Sequence, residues 1–288
     1  MVANTPIAGF DHPVIAVRDM DASRARFERM GFTVPPRGSH KEWGTGNWCI
    51  MFPQDYLELR GIVDAKRYTH QLDTFLALRE GLMGVAFAPR GEVTDAAEAL
   101  RKRGLHPEPP RELTRAFELP DGPIDVRFRL LFFNRQETGA MMASLICQHL
   151  TPERIRRPDY LVHANTAHAV SSMTGVVADL DEAERLTRPY FDAGAVQRMQ
   201  DRVVVDVGRG AKLHLVSARV AASEDVALDG VAPPYLSAVA ISVGSIAACE
   251  AALRAGDTRH VRRSERVLRV AAPDGCGTVL DFVESPGD

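Results

Sequence analysis

Apolar and polar positions along this chain fall into a pattern that occurs four times: an apolar strand, an amphipathic helix, then β-rich sequence closing on an apolar strand with one polar residue in it. The first copy opens at Asp11-His12-Pro13-Val14-Ile15-Ala16-Val17, has a helix from Met20 to Met30, and closes with Tyr56-Leu57-Glu58-Leu59-Arg60. The second opens at Gly84-Val85-Ala86-Phe87-Ala88, has a helix from Thr94 to Arg103, and closes with Ser144-Leu145-Ile146-Cys147-Gln148-His149. The third runs from Met173-Thr174-Gly175-Val176-Val177 through a helix over Asp181 to Asp192 to Lys212-Leu213-His214-Leu215-Val216. The fourth runs from Ala238 to Val243, through a helix from Ile246 to Ala255, to Thr278-Val279-Leu280-Asp281-Phe282. Successive strand residues face opposite sides. Leu57-Glu58-Leu59, Leu213-His214-Leu215 and Leu280-Asp281-Phe282 therefore each turn one polar residue away from the helix-covered core, into whatever the sheet encloses. Strand–helix–three-strand modules used in even numbers are one way of building an open cleft, and a repeat of this kind fixes the fold expectation.

The pattern predicts an α+β protein of two curved-sheet domains, residues 1–155 and 160–288, with modules at about 8–62, 82–150, 168–218 and 234–285. A length of 288 residues accommodates two such cores. Two prolines and several charges in 150–160 suit a connector, and Pro233-Pro234 ends a polar loop before the fourth module. Five prolines between His106 and Pro123 predict a long irregular loop, of the kind that often covers a site.

Composition narrows the function classes. A net charge of −3 provides no field to recruit nucleic acid, and the basic stretch Arg259-His260-Val261-Arg262-Arg263 reads as a surface loop. No apolar run approaches the roughly 20 residues of a membrane span. Met1 to Pro6 lacks a basic segment followed by an apolar one, so a cytoplasmic location is expected. Cys49, Cys147, Cys249 and Cys276 are dispersed, as expected of free thiols.

Several segments together resemble the paired βαβββ units of the vicinal oxygen chelate superfamily, most of all its glyoxalase-like domain branch. They are Phe10-Asp11-His12-Pro13-Val14-Ile15-Ala16-Val17-Arg18-Asp19, Met30-Gly31-Phe32, His40-Lys41-Glu42-Trp43-Gly44-Thr45-Gly46-Asn47, Tyr56-Leu57-Glu58-Leu59, Cys147-Gln148-His149-Leu150-Thr151-Pro152-Glu153 and His163-Ala164-Asn165. The superfamily hosts isomerases, lyases, ring-cleaving dioxygenases and drug-binding proteins on one scaffold, so the resemblance speaks to fold more than to reaction. It implies a divalent metal held by residues of the first and last strands of paired modules. In the N-terminal half those positions offer His12 and Glu58, with Gln148, or His149 if the register differs by one. The opening strand of the second module offers only Met83 or Gly84, which cannot ligate. The C-terminal half offers His214 and Asp281, with Ser172 and Ala238 at its first-strand positions, so neither half carries four good ligands.

His12, Glu58 and His149 would make a facial triad suited to a divalent ion (Zn, Fe, Mn or Ni) that polarises a carbonyl or vicinal diol. His40 would act as acid or base and Asn47 would hold a substrate oxygen. Alternatively, the glycines around Asn47 form a hairpin whose backbone it satisfies. Trp43 and Trp48 either line an apolar pocket or pack, and Arg115 and Arg127 either bind a carboxylate or are solvated. Cys147 and His149 share a strand face, but no third orienting group is visible and a buried thiol explains the cysteine better than a nucleophile does. Gly44-Thr45-Gly46 precedes no helix and no Lys, so no nucleotide cofactor is expected. The reading is a glyoxalase-like enzyme acting on a small oxygenated molecule with metal help, as lyase, isomerase or dioxygenase. The alternative is a metal-free protein that sequesters a small molecule. Extradiol cleavage in the C-terminal half would want histidines where Ser172 and Ala238 stand. Exposed sheet edges add the expectation of a homodimer.

Overall fold

The chain is described by a computed structural model at residues 5–141 and 143–285. Residues 1–4, on which the expected cytoplasmic location partly rests, lie outside the described residues. The first module comprises β1 (Ile7–Ala16), α1 (Met20–Arg29), β2 (Gly38–His40), β3 (Thr45–Met51) and β4 (Tyr56–Ile62). Asp19 starts α1 by accepting a hydrogen bond from the Ala22 N–H, and Gly31 follows it with φ 87°, a conformation that favours glycine. A short helix, α2 (Leu72–Leu78), leads to the second module: β5 (Gly81–Pro89), α3 (Val93–Lys102), β6 (Arg111–Phe117), β7 (Ile124–Phe132), a turn of helix α4 (Arg135–Thr138) and β8 (Leu145–His149).

These eight strands close into a barrel in the order β1-β4-β3-β2-β6-β7-β8-β5. The two opening strands pair antiparallel, and each runs parallel to the closing strand of its own module. Closure depends on β2 pairing with β6, where His40 stands opposite Arg115. β6 corrects the expected loop over 106–123. The prolines lie on either side of it, where no ladder N–H is needed, and Leu113, Arg115 and Phe117 alternate inward.

The second half repeats the order with β9 (Ala167–Val177), α5 (Leu180–Thr187), β10 (Val196–Arg198), β11 (Arg202–Gly208), β12 (Ala211–Ser217), α6 (Ala218–Ser223), β13 (Tyr235–Val243), α7 (Ile246–Ala255), β14 (Val261–Ser264), β15 (Val267–Val270) and β16 (Val279–Glu284). Its eight strands form an open sheet, with β10 and β14 at its edges. The inner face carries an apolar cluster of Val176, Val216, Val220, Ala221, Val226, Tyr235, Ala238 and Val279, so α6 and the residues after it occupy the hollow. The outer barrel face and the second sheet share one core, in which Phe87 meets Phe191 edge-on at 5.8 Å and Phe32 meets Phe282 at 5.9 Å. No helix among the described residues is long and apolar enough to cross a membrane.

Candidate active site

Strand alternation decides what the barrel encloses. On β4, Leu57 and Leu59 face the shared core, while Tyr56, Glu58 and Arg60 face inward. On β3, Asn47, Cys49 and Met51 face inward, and Trp48 and Ile50 face the core. β1 breaks the rule usefully: its pairing with β5 slips between Phe10 and His12, the signature of a bulge, and both Asp11 and His12 end up buried. Pro13, which has no N–H to give, follows at once.

A polar network results. His12 Nδ1 is 2.6 Å from Asp11 Oδ1, and His149 Nε2 stands 3.0 Å from Asp11 Oδ2. Burial alone would raise the Asp11 carboxyl. The attractions of His149 and His12 outweigh it and hold Asp11 well below the usual carboxylate range. On its other side, His12 Nε2 is 3.5 Å from Glu58 Oε2, and its ring stacks on Tyr56 at 4.3 Å. Glu58 also accepts a hydrogen bond from the Asn47 amide. Arg60 Nη2 is 2.8 Å from Glu58 Oε2, an ion pair without hydrogen-bond alignment, and that oxygen has no hydrogen-bond partner. Burial raises the Glu58 carboxyl, but Arg60, His12, His40 and the Asn47 bond bring it down to about 2.

Arg115 crosses from β6 to β3, where its Nη1 donates to Asn47 Oδ1 at 3.0 Å and to Cys49 Sγ at 2.8 Å. His40 Nδ1 is 3.1 Å from the Thr45 carbonyl and 2.9 Å from its hydroxyl. Burial, then Arg60 and Arg115, lower its pKa to about 3. Its imidazole is therefore neutral at pH 7, and the surrounding arginines disfavour its protonation, so it is suited to exchange hydrogen bonds and is a weak base. Burial pushes the Cys49 thiol up to about 11 and raises that of Cys147 well above its ordinary value, so neither is a ready nucleophile.

His12, His40, Asn47, Tyr56, Glu58, Arg60, Arg115 and Cys147 line a cavity of about 30 Å³, on the scale of a single water or a small functional group. Arg60 and Leu145 also line a neighbouring hollow of about 310 Å³, walled by Tyr68, His70, His106, Phe132 and Arg135. Trp43 stacks on His70 at 4.6 Å between the two.

Of the residues singled out in the sequence, His12, His40, Trp43, Asn47, Glu58 and Arg115 meet in this chamber. Others lie elsewhere. Trp48 faces α1, where its indole N–H donates to the Met20 carbonyl at 3.0 Å, so it packs and does not line the cleft. Gln148 points outward, accepting from the Val93 N–H and donating to Glu92. His149 is the inward residue of that pair, but it gathers with Asp11 and Cys147 rather than with His12 and Glu58. Among the described residues, Asp11, Cys147 and His149 are the three ligating side chains whose donor atoms lie within 4.8 Å of one another, a set able to hold a metal ion. His214 lies half-buried on β12 with Nδ1 unpartnered, and Asp281 is gripped by Arg269 through two contacts of 2.7 Å. Arg127 pairs with Glu112 on the outside. All four cysteines are buried and free.

Asp11 and Arg60 escaped sequence reasoning. Alternation from His12 turns Asp11 outward, and only the following proline signalled a bulge. Arg60 stands two residues beyond Glu58 on the same face, so the alternation already applied to Glu58 locates it too.

A family model described as "Glyoxalase-like domain" matches residues 10–191. Comparison with curated proteins gave no match. Among solved structures, a hypothetical protein from Staphylococcus aureus superposes with a TM-score of 0.70 at 12% identity, covering 96% of this chain and 99% of that one. A mutant of 4-hydroxymandelate synthase from Streptomyces coelicolor gives 0.62 at 10% identity, covering 98% and 94%. A variant of homoprotocatechuate 2,3-dioxygenase from B. fuscum gives 0.57 at 17%, covering 100% and 75%. At these identities the likeness is one of fold.

Proposed function

The chain belongs to the glyoxalase-like domain family, within the vicinal oxygen chelate superfamily, and we propose that it is an enzyme acting on a small oxygenated organic molecule inside the N-terminal barrel with divalent-metal help. The observation that carries this reading is the 3.5 Å separation of His12 Nε2 and Glu58 Oε2. Two donors on one ion, each about 2.1 Å away at a tetrahedral angle, stand about 3.4 Å apart. Asp11 at Nδ1 orients the His12 ring with its Nε2 toward Glu58, as in carboxylate–histidine–metal arrangements. The buried Glu58 oxygen without a hydrogen bond is a further mark of fit. His12 and Glu58 would hold the ion, with water or substrate oxygens completing its coordination. When bound, the ion polarises a carbonyl or hydroxyl oxygen and stabilises the anion left by proton removal.

The chain's own residues supply the rest. With Nδ1–H donated to the Thr45 carbonyl, His40 offers Nε2 as an acceptor that orients a substrate hydroxyl by a hydrogen bond. Asn47 and Arg115 direct donors and charge at oxygen, and the apolar wall of Leu113, Phe128 and Leu130 excludes water. Dioxygenase and synthase neighbours of the same fold support chemistry on oxygenated compounds without specifying which.

One contact favours a second reading, metal-free sequestration of a small molecule: Arg60 already stands 2.8 Å from the Glu58 oxygen that would face the ion. The two separate in a screen of the protein, with and without Zn(II), Mn(II), Fe(II) or Ni(II), against dicarbonyls, hydroxy-ketones and catechols. Turnover that needs the metal and disappears in Glu58→Gln is the expected result. Binding without turnover under every condition would favour sequestration.

A further inference from the structure

The charged groups of the chamber are unequally partnered. Asp11 faces His12 and His149, and Glu58 faces Arg60 and the Asn47 amide. Arg115 is only 2% exposed, yet among the described residues it makes no ion pair. Its partners are a neutral amide oxygen and a neutral thiol, with the Phe128 ring 5.3 Å away. A guanidinium buried without an anion is strongly unfavourable, and proteins ordinarily pair such a charge. Moreover, the Nε atoms of Arg115 and of Arg60, which is 9% exposed, are both buried donors without an acceptor, and both side chains line the same cavity.

We propose that the substrate of this barrel is a small carboxylic acid whose carboxylate enters the chamber between Arg115 and Arg60 and supplies the counter-charge that Arg115 lacks. The inference rests on the barrel being the substrate chamber and names the class of molecule it takes. A planar carboxylate matches the guanidinium fork with two parallel hydrogen bonds. Arg60 and Leu145 line both hollows, so the remainder of the acid lies in the outer one, against Tyr68, His70 and Phe132.

The test uses chelator-treated protein, so that carboxylate binding and metal-dependent turnover succeed or fail separately. Pyruvate, glycolate and benzoate are titrated calorimetrically beside pyruvamide, glycolamide and benzamide, on wild type, Arg115→Lys and Arg115→Met. At least one acid should bind, with its amide about tenfold or more weaker. Arg115→Lys should weaken the acid by a similar factor, and Arg115→Met should abolish its binding. Ligand-free Arg115→Met should melt at or above the wild-type temperature, because it removes an unpaired buried charge. Acids that bind no better than their amides, the absence of any acid binding at millimolar concentration, or undiminished binding in either variant would overturn the proposal.

Discussion

Asp11 and His12 are adjacent in sequence, yet both side chains enter the barrel, with Oδ1 and Nδ1 2.6 Å apart, because the β1–β5 pairing slips between Phe10 and His12. This relationship aims the other nitrogen of His12 at Glu58. It leads to the first prediction. Asp11→Asn, which keeps the shape but loses the charge, should lower divalent-metal affinity about 10- to 100-fold. Titration with Zn(II) and Mn(II) checks this; unchanged affinity would detach Asp11 from the site.

Gly38 makes room for Arg115. A Cβ at position 38 would lie 2.3 Å from Arg115 Cδ and 2.5 Å from Asn47 Oδ1. Gly38→Ala should therefore cost about 1–3 kcal/mol through overpacking and weaken ligand binding along with it. Urea unfolding with a parallel binding assay reads both effects.

Trp48 packs beneath α1. Trp48→Phe removes the N–H that meets the Met20 carbonyl and should cost about 1–2 kcal/mol of stability, with ligand and metal affinity unchanged. A loss of affinity at unchanged stability would return Trp48 to the cleft.

Asp55 links the two halves by accepting the Val170 N–H at 2.9 Å. Burial raises its carboxyl to about 7; the Val170 bond opposes this, Asp11 adds to it, and Arg156 and Arg209 oppose it. A folded-state pKa above the unfolded one means that the stability associated with this proton is complete below about 4 and is lost as pH rises through about 7. The loss is on the order of 4 kcal/mol at most. Glu58, lowered to about 2, works in the opposite sense: its contribution is present above the unfolded value and lost as pH falls toward 2. Denaturant titrations between pH 4 and pH 9 should show Asp55→Asn gaining on wild type as pH rises. Parallel curves would contradict this.

Much of this architecture was legible because strand alternation is a strong constraint. Leu57-Glu58-Leu59 placed Glu58 inside correctly, and the four opening and closing strands fall where their apolar runs stand. β6 was hidden because flanking prolines masked a short period-two stretch. The Asp11 bulge was hidden because one extra residue reverses the inward face, a slip that propensity does not record. The same strictness separates Gln148 from His149. The apolar filling of the second sheet by α6 depended on tertiary packing, and nothing local distinguished His214 from Glu58.

The most direct measurement is elemental analysis of wild-type protein and a His12→Ala/Glu58→Ala double variant after dialysis against divalent metals. About one equivalent per chain in the wild type, absent from a folded variant, is the predicted result. Metal retained by the variant, or absent from both proteins, would contradict a metal-assisted site at His12 and Glu58.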